Sequence, residues 1–190
     1  LARELNIGFH ARLTRERPWV RVKLGMSLDA RTALADGSSQ WITGAAARAD
    51  VQYWRARSSA ILTGIDSVLA DDPRLTVRVE GMQTTRAPTR IILDTRARLP
   101  GNARLLAEPG PILWVTAIDA PARAELDERI ERLRVPTRSE RIDLRALLDA
   151  LGKRDCNELL IEAGGTLAGA FVAANLVDEL ILFVAPTLLG

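Results

Sequence analysis

The chain has 190 residues, of which 47% are hydrophobic and 26% charged, and its formal net charge is only +2. This is the composition of one sizeable globular domain, and the nearly balanced charges and few aromatic residues disfavour a nucleic-acid groove. One cysteine and one histidine exclude an internal disulfide and leave too few ligands for a Cys/His zinc site, so we expect no metal. No stretch approaches the length of a membrane span, and we expect a reducing, cytoplasmic location.

In chain order, residues 1–18 are polar and rich in arginine, and we expect a lead-in arm there. Apolar, β-branched segments then predict four strands, and Thr43 is placed to cap a helix that contains Val51 and Trp54. The four predicted strands cover residues 19–28, 59–64, 90–95 and 111–116.

In the second half, residues 120–134 and 143–154 show apolar residues at helical spacing and predict two helices. The end is clearest: a strand over 157–163 leads into Gly164-Gly165, a helix over 166–176 and a strand over 177–186. Strands that alternate with helices predict a mainly parallel α/β sheet with helices on both faces.

In such a sheet, ligands bind at the carboxyl ends of the strands. Three predicted corners lie there: Thr95, the turn from Glu162 to Gly165, and the segment VLADDPRLTVR at 68–78. The spacing G-G-x-x-x-G from Gly164 differs from the dinucleotide-binding fingerprint G-x-G-x-x-G. The turn therefore indicates either a phosphate cradle at a helix N-terminus or a tight turn with close packing at Gly169.

Several polar residues near these corners have two interpretations. Glu162 ends an apolar strand, where a carboxylate needs a partner, so it is either a site residue or half of a structural salt bridge. Arg55 and Arg78 could bind an anion or simply face solvent, and Lys23 and Asp29 could polarise a ligand or reflect surface alternation.

Taken together, the segments KLGMSLDAR, SSQWIT, AILTGIDSVLADDPRLTVR, IILDT, LLIEAGGTLAGAF and LVDELILFVAPTLLG occur in one order. In that order they resemble the reductase domain of the bifunctional riboflavin-biosynthesis deaminase–reductases. The resemblance covers residues 19–190, and residues 1–18 resemble the linker arm that leaves the deaminase domain of those proteins. It implies a three-layer, dihydrofolate-reductase-like fold: a mainly parallel sheet with flanking helices that binds NADPH without the Rossmann glycines.

The implied reaction is the NADPH-dependent reduction of 5-amino-6-(5-phosphoribosylamino)uracil to the ribitylamino product. The resemblance implies catalytic roles for Glu162, Lys23 and Asp29. It implies substrate contacts at Ser39, Arg55, Leu75, Arg78 and Glu162. It implies cofactor contacts at Gly25, Trp41, Ser67, Asp71, Thr95, Gly164, Gly165, Thr166, Leu167, Ala168, Gly169 and Ala170. The cofactor's 2′-phosphate needs a cation, for which Arg96 and Arg98 are the candidates.

The sequence departs from the family at Ala30, where Gly is usual, and at Ser67, where Thr is common. The zinc motif of the deaminase is absent from the sequence, so we expect no deamination from this chain. The resemblance also implies a homodimer, a deaminase domain in the full-length protein, and further strands after Gly190. Two alternatives stay open: a reductase of the same fold with another pteridine- or pyrimidine-like substrate, and an inactive nucleotide-binding assembly domain.

Overall fold

A seven-stranded, entirely parallel sheet forms the centre of the computed structural model, which describes residues 2–35, 37, 42–79 and 86–190. The order of the strands across the sheet is β5-β4-β3-β2-β8-β1-β9, and β6 and β7 form a separate antiparallel pair. The strands are β1 Trp19–Ser27, β2 Ala60–Gly64, β3 Thr89–Leu93, β4 Ile112–Ala117, β5 Glu131–Val135, β6 Thr137–Arg138, β7 Arg141–Ile142, β8 Glu158–Glu162 and β9 Glu179–Ala185.

Helices cover both faces of this sheet. They are α1 Ala2–Leu5, α2 Ile7–Arg15, α3 Ala45–Arg57, α4 Ile65–Asp71, α5 Ala124–Asp127, α6 Leu144–Gly152 and α7 Gly165–Ala173, with one 3-10 turn at Arg104–Ala107. The right-handed crossovers usual for parallel strands place α3 and α4 on one face and α6 and α7 on the other. Arg145 of α6 accordingly donates a hydrogen bond to the Ala174 carbonyl at the end of α7 (3.0 Å). The three-layer α/β fold predicted from the sequence is confirmed.

The central strands are apolar because both of their faces are buried. Ile61, Leu62, Ile91 and Ile92 have no exposed surface, which is the pattern expected for interior strands of a parallel sheet. This explains why short β-branched runs without alternation predicted these strands correctly.

The predicted helix over residues 120–134 is wrong. Only α5 forms there, and the chain then enters β5, an edge strand that pairs with β4. Arg132 fits this strand because its guanidinium lies 4.5 Å from the centre of the Trp114 ring and its Nε donates to Thr116 Oγ1 (2.9 Å). The apolar spacing that suggested one helix comes from residues in two different elements.

One local prediction is wrong, and one segment has secondary structure that the sequence did not indicate. The N-cap of α3 is Gly44, without a side-chain cap, so Thr43 does not cap this helix. The expected lead-in arm is folded as α1 and α2, and Arg12 on α2 donates to Asn157 Oδ1 and to Asp155 Oδ1 (2.7 Å each). A Cβ on Gly8 would lie 2.7 Å from the Asn157 carbonyl oxygen, so α2 packs closely against the start of β8.

In the part of the chain that the structure describes, no helix is both long and apolar enough to cross a membrane. The same part contains no group of three or more side chains arranged to hold a metal ion.

Candidate active site

Glu162 lies in the middle of the sheet, at the carboxyl end of β8. In register, Lys23 of β1 faces it on one side, and β2 pairs with the preceding residue on the other through Leu62 and Ile161. Its side chain is only 9% exposed. The apolar strand therefore delivers a buried carboxylate to the edge where ligands bind in parallel sheets.

Arg55, from the last turns of α3, pairs with this carboxylate through two parallel hydrogen bonds. Its Nε lies 2.6 Å from Glu162 Oε1, and its Nη2 lies 2.9 Å from Oε2. Burial raises the pKa of Glu162, but the charges of Arg55 and Lys23 outweigh burial and hold that pKa below its ordinary value. Glu162 is therefore a carboxylate and a hydrogen-bond acceptor at neutral pH.

Lys23 is the second cation of this group. Its Nζ lies 3.7 Å from Glu162 Oε2, and its side chain is 23% exposed, against 11% for Arg55. Arg55 already donates to both carboxylate oxygens. Lys23 and Arg55 are two cations for the one carboxylate of Glu162, so one positive charge is in excess. That excess lies at the more accessible residue, where it can donate a hydrogen bond or a proton to a ligand.

Asp29 lies in the turn after β1, apart from these three residues. Its Oδ1 accepts hydrogen bonds from the Ser27 hydroxyl (2.5 Å) and the Leu189 N–H (3.1 Å), which lower the pKa of Asp29. Within the described residues, no hydrogen bond or ion pair joins Asp29 to Lys23 or Glu162. Ala30 in this turn has a φ of 60°, in the left-handed region, which is a physical reason for the glycine usual there.

The double glycine opens α7 directly after Glu162. Gly164 is the N-cap, and among the residues that the structure describes no side chain caps the helix and a Cβ added at Gly164, Gly165 or Gly169 would meet nothing within 4 Å. Close packing therefore does not explain Gly169, whereas free space in front of unpaired N–H groups fits an anion. Among the following residues Thr166 is exposed, Leu167 and Ala170 are half-buried, and Ala168 is buried in the core.

The corner VLADDPRLTVR is part helix and part extended chain. α4 runs through Ser67 to the exposed Asp71, and Asp72 ends it in the left-handed conformation before Pro73. Leu75 is 4% exposed and has a φ of 55°. The segment then lies beside α3, because Arg55 Nη1 donates to the Thr76 carbonyl (3.0 Å).

The other predicted positions surround the same edge. Thr95 follows β3, Arg98 pairs with Asp66 at the start of α4 (2.7 Å), and Arg96 is largely exposed, with Nη2 4.0 Å from Glu140 Oε2. In β1, a Cβ on Gly25 would lie 3.2 Å from Thr43 Cγ2. Ser39 and Trp41 lie outside the described residues.

The family profile of the RibD C-terminal domain matches residues 18–190. The chain belongs to this family. The riboflavin biosynthesis protein RibD of Escherichia coli K12 is 44% identical over 199 residues, which cover 100% of this chain and 54% of that protein. The chain thus spans about half the length of the curated relatives that it matches.

Solved structures are consistent with membership of this family. Acinetobacter baumannii RibD superposes with a TM-score of 0.89 at 44% identity, covering 100% of this chain and 52% of that one. A Thermotoga maritima deaminase/5-amino-6-(5-phosphoribosylamino)uracil reductase gives a TM-score of 0.81 at 28% identity, covering 99% and 50%. Membership of the family confirms the predicted dihydrofolate-reductase-like fold and the identity as a reductase domain of riboflavin biosynthesis.

Sequence reasoning missed two polar residues near this edge. Asp94 is fully buried at the end of β3, where its Oδ2 accepts from the Leu99 N–H (2.8 Å) and Trp114 Nε1 (3.1 Å), fixing the turn that contains Thr95. Gln52 on α3 accepts a hydrogen bond from the Arg78 N–H (2.9 Å). The sequence shows that Asp94 and Thr95 follow an apolar strand, but nothing in it relates Gln52 to Arg78, 26 positions away.

Proposed function

We propose that this reductase domain uses NADPH to reduce the ribosyl group of 5-amino-6-(5-phosphoribosylamino)uracil to the ribitylamino product. The observation that supports this most is the group formed by Lys23, Arg55 and Glu162, beside the open N-terminus of α7 at the carboxyl edge. The Thermotoga maritima relative bears the name of this reductase and matches over 99% of the present chain.

The residues at this edge fit a nicotinamide dinucleotide. The pyrophosphate would bind the N–H groups that follow Gly164, where no side chain fills the space, and Thr166 and Ala170 lie on the same helix. The cofactor site would be completed by Gly25 of β1, by Ser67 and Asp71 of α4, and by Thr95 in the turn after β3. Arg96 and Arg98 would supply the positive charge that a 2′-phosphate requires. When bound, NADPH supplies the hydride that the ribose carbon bonded to nitrogen receives.

The protein's own part is to open the ribose ring and to hold the substrate. As the bond between that carbon and the ring oxygen breaks, the adjacent nitrogen shares its electron pair with the carbon and the ring oxygen takes up a proton. We assign the proton to Lys23 Nζ, which is partly exposed and held by Glu162. Glu162 fixes the position of Lys23, and Arg55 keeps Glu162 ionised.

Substrate recognition is assigned to the segment beside α3. The Arg78 side chain is exposed and would bind the substrate's phosphate. The buried Leu75 would anchor the segment that carries Arg78. Arg55 donates three N–H groups to Glu162 and Thr76, so its effect on substrate passes largely through them. Asp29 is assigned a supporting role in the turn after β1, and Ser39 and Trp41 keep the ligand contacts implied by the resemblance.

A homodimer, a deaminase domain in the full-length protein and a cytoplasmic location belong to the same proposal and rest on the family resemblance. The outward residues Leu180, Leu182 and Val184 of edge strand β9 are exposed and apolar, which is compatible with a subunit contact.

The two lysines of the chain provide the test. With substrate and NADPH, we expect Lys23→Met to lower kcat/KM by about 10²–10³-fold, the range of a general acid. Lys153→Met changes an exposed lysine after α6 and should leave turnover unchanged. Wild-type chain that binds NADPH without oxidising it when substrate is added would contradict the proposal and favour a different substrate or an assembly role.

A further inference from the structure

Helix α3 holds the backbone of residues 76–78 at two points. Arg55 Nη1 donates to the Thr76 carbonyl (3.0 Å), and Gln52 Oε1 accepts from the Arg78 N–H (2.9 Å). Gln52 and Arg55 are three residues apart and therefore lie on one side of the helix. One donor and one acceptor on α3 thus fix both a carbonyl and an N–H of the segment.

The segment needs such support because regular structure does not provide it. Residues 73–78 belong to neither a helix nor a strand, and Leu75 among them adopts the left-handed conformation, which is unfavourable for a leucine. Further back, Asp72 is fixed by accepting a hydrogen bond from the Arg104 N–H (2.8 Å). The hydrogen bonds to α3 therefore determine the path of the chain between Leu75 and Arg78.

The backbone N–H of Arg78 is bound by Gln52, whereas the Arg78 side chain is not held in this way. It is exposed, and within the described residues it makes no hydrogen bond or ion pair. An arginine with all five N–H groups available can bind an anion through two of them at once, but only if its backbone is well placed. Gln52 holds that backbone through its side-chain oxygen.

We propose that Gln52 is a positioning residue, which together with Arg55 holds the backbone of residues 76–78 and directs Arg78 toward the anionic group of the substrate. This inference rests on the proposed function. Arg55 serves two purposes, because the guanidinium that holds Thr76 also binds Glu162. Among the described residues, Gln52 makes a side-chain hydrogen bond only to this segment, so its substitution isolates the positioning effect.

The test compares Gln52→Leu, which removes the acceptor, with Gln52→Glu, which retains an acceptor oxygen at the same length. Tyr53→Leu is the control, because Tyr53 is an exposed neighbour on α3 without an assigned role. Two measurements are made on each chain: hydrogen exchange of the Arg78 amide without ligand, and the substrate dissociation constant without NADPH. Steady-state kinetics with both ligands follow.

In Gln52→Leu we expect amide exchange at Arg78 to accelerate about fivefold and substrate affinity to fall by a similar factor, the equivalent of one neutral hydrogen bond. The KM for substrate should rise with it, while kcat and the KM for NADPH stay within about twofold. Gln52→Glu should restore both measurements toward wild type, and Tyr53→Leu should change neither.

Unchanged exchange at Arg78 in Gln52→Leu would overturn the inference, and so would faster exchange without a loss of substrate affinity. If the wild-type chain binds the substrate but does not reduce it, the proposed function fails while the affinity ratio still decides the role of Gln52. If the substrate does not bind at all, both proposals are wrong.

Discussion

Two glutamates on β8, four residues apart and on the same face, pair with arginines in different ways. At the start of the strand, Glu158 accepts from Arg21, lies 3.7 Å from Arg57 Nε, and shares Arg21 with Glu179. We call Arg21, Arg57, Glu158 and Glu179 the amino-end cluster. At the other end, Lys23, Arg55 and Glu162 form the carboxyl-end cluster.

The difference between the clusters is their charge balance. The amino-end cluster contains two carboxylates and two guanidiniums, and the ring of Trp54 lies 5.4 Å from Arg21 and 5.0 Å from Arg57. The carboxyl-end cluster has one carboxylate for two cations, and its lysine is partly exposed. Arginine–glutamate pairs therefore form a charge-balanced network at one end of the strand and a cluster with one excess positive charge at the other.

The largest effect should come from removing the carboxylate of the carboxyl-end cluster. In Glu162→Gln, Lys23 loses the charge that holds it, and Arg55 loses its partner. We expect kcat/KM to fall by about 10²–10³-fold in steady-state assays of the folded protein. Loss confined to the KM for NADPH would instead place Glu162 in cofactor binding.

A substitution in the amino-end cluster should mainly lower the free energy of unfolding. Arg21→Met removes the guanidinium that Glu158 and Glu179 share and leaves the largely buried Glu158 without its closest partner, which should cost about 1–3 kcal/mol. Denaturant unfolding should record this loss, while kcat of the folded fraction stays near wild type. An equal loss of turnover would mean that the two clusters are coupled.

The pH dependence of the free energy of unfolding provides a further test of the carboxyl-end cluster. Because the folded-state pKa of Glu162 lies below its ordinary value, its ionised form stabilises the fold at neutral pH. That contribution is complete above the unfolded-state pKa of about 4.5 and is lost as pH falls through the lowered folded value. The stability difference between wild type and Glu162→Gln should therefore shrink below about pH 4.5, and a constant difference would contradict this.

The smallest effect concerns the turn after β1. Ala30→Gly relieves a left-handed alanine and should stabilise the fold by about 0.5–1 kcal/mol despite the added freedom of the unfolded chain. Ala170→Gly, inside α7, is the matched control and should destabilise by a similar amount. Thermal unfolding of both variants measures the contrast, and equal shifts of the same sign would count against strain at Ala30.

Much of this fold could be predicted because its interior strands are apolar on both faces. Residues such as Ile91 and Leu160 need no context to indicate a strand. β5 was missed because an edge strand tolerates charges, and Arg132 contacts Trp114 and Thr116 on the neighbouring strand, which lie elsewhere in the sequence. For the same reason, the sequence did not indicate that Arg12 of α2 pairs with Asp155 and Asn157.

The candidate site shows the same limit. Glu162 could be singled out because a carboxylate ends an apolar strand. Its pairing with Arg55 gives it the partner that a buried carboxylate needs. The contact between Gln52 and Arg78 depends on how one irregular segment lies against α3, which no local pattern encodes.

The most direct measurement compares Glu162→Gln with Glu158→Gln at equal folded concentration. If the carboxyl-end cluster is the active site and the amino-end cluster is structural, kcat/KM should differ between the variants by about 100-fold or more. Glu158→Gln should then show the loss mainly in its free energy of unfolding. Similar turnover in the two variants would contradict the assignment of the active site to Lys23, Arg55 and Glu162.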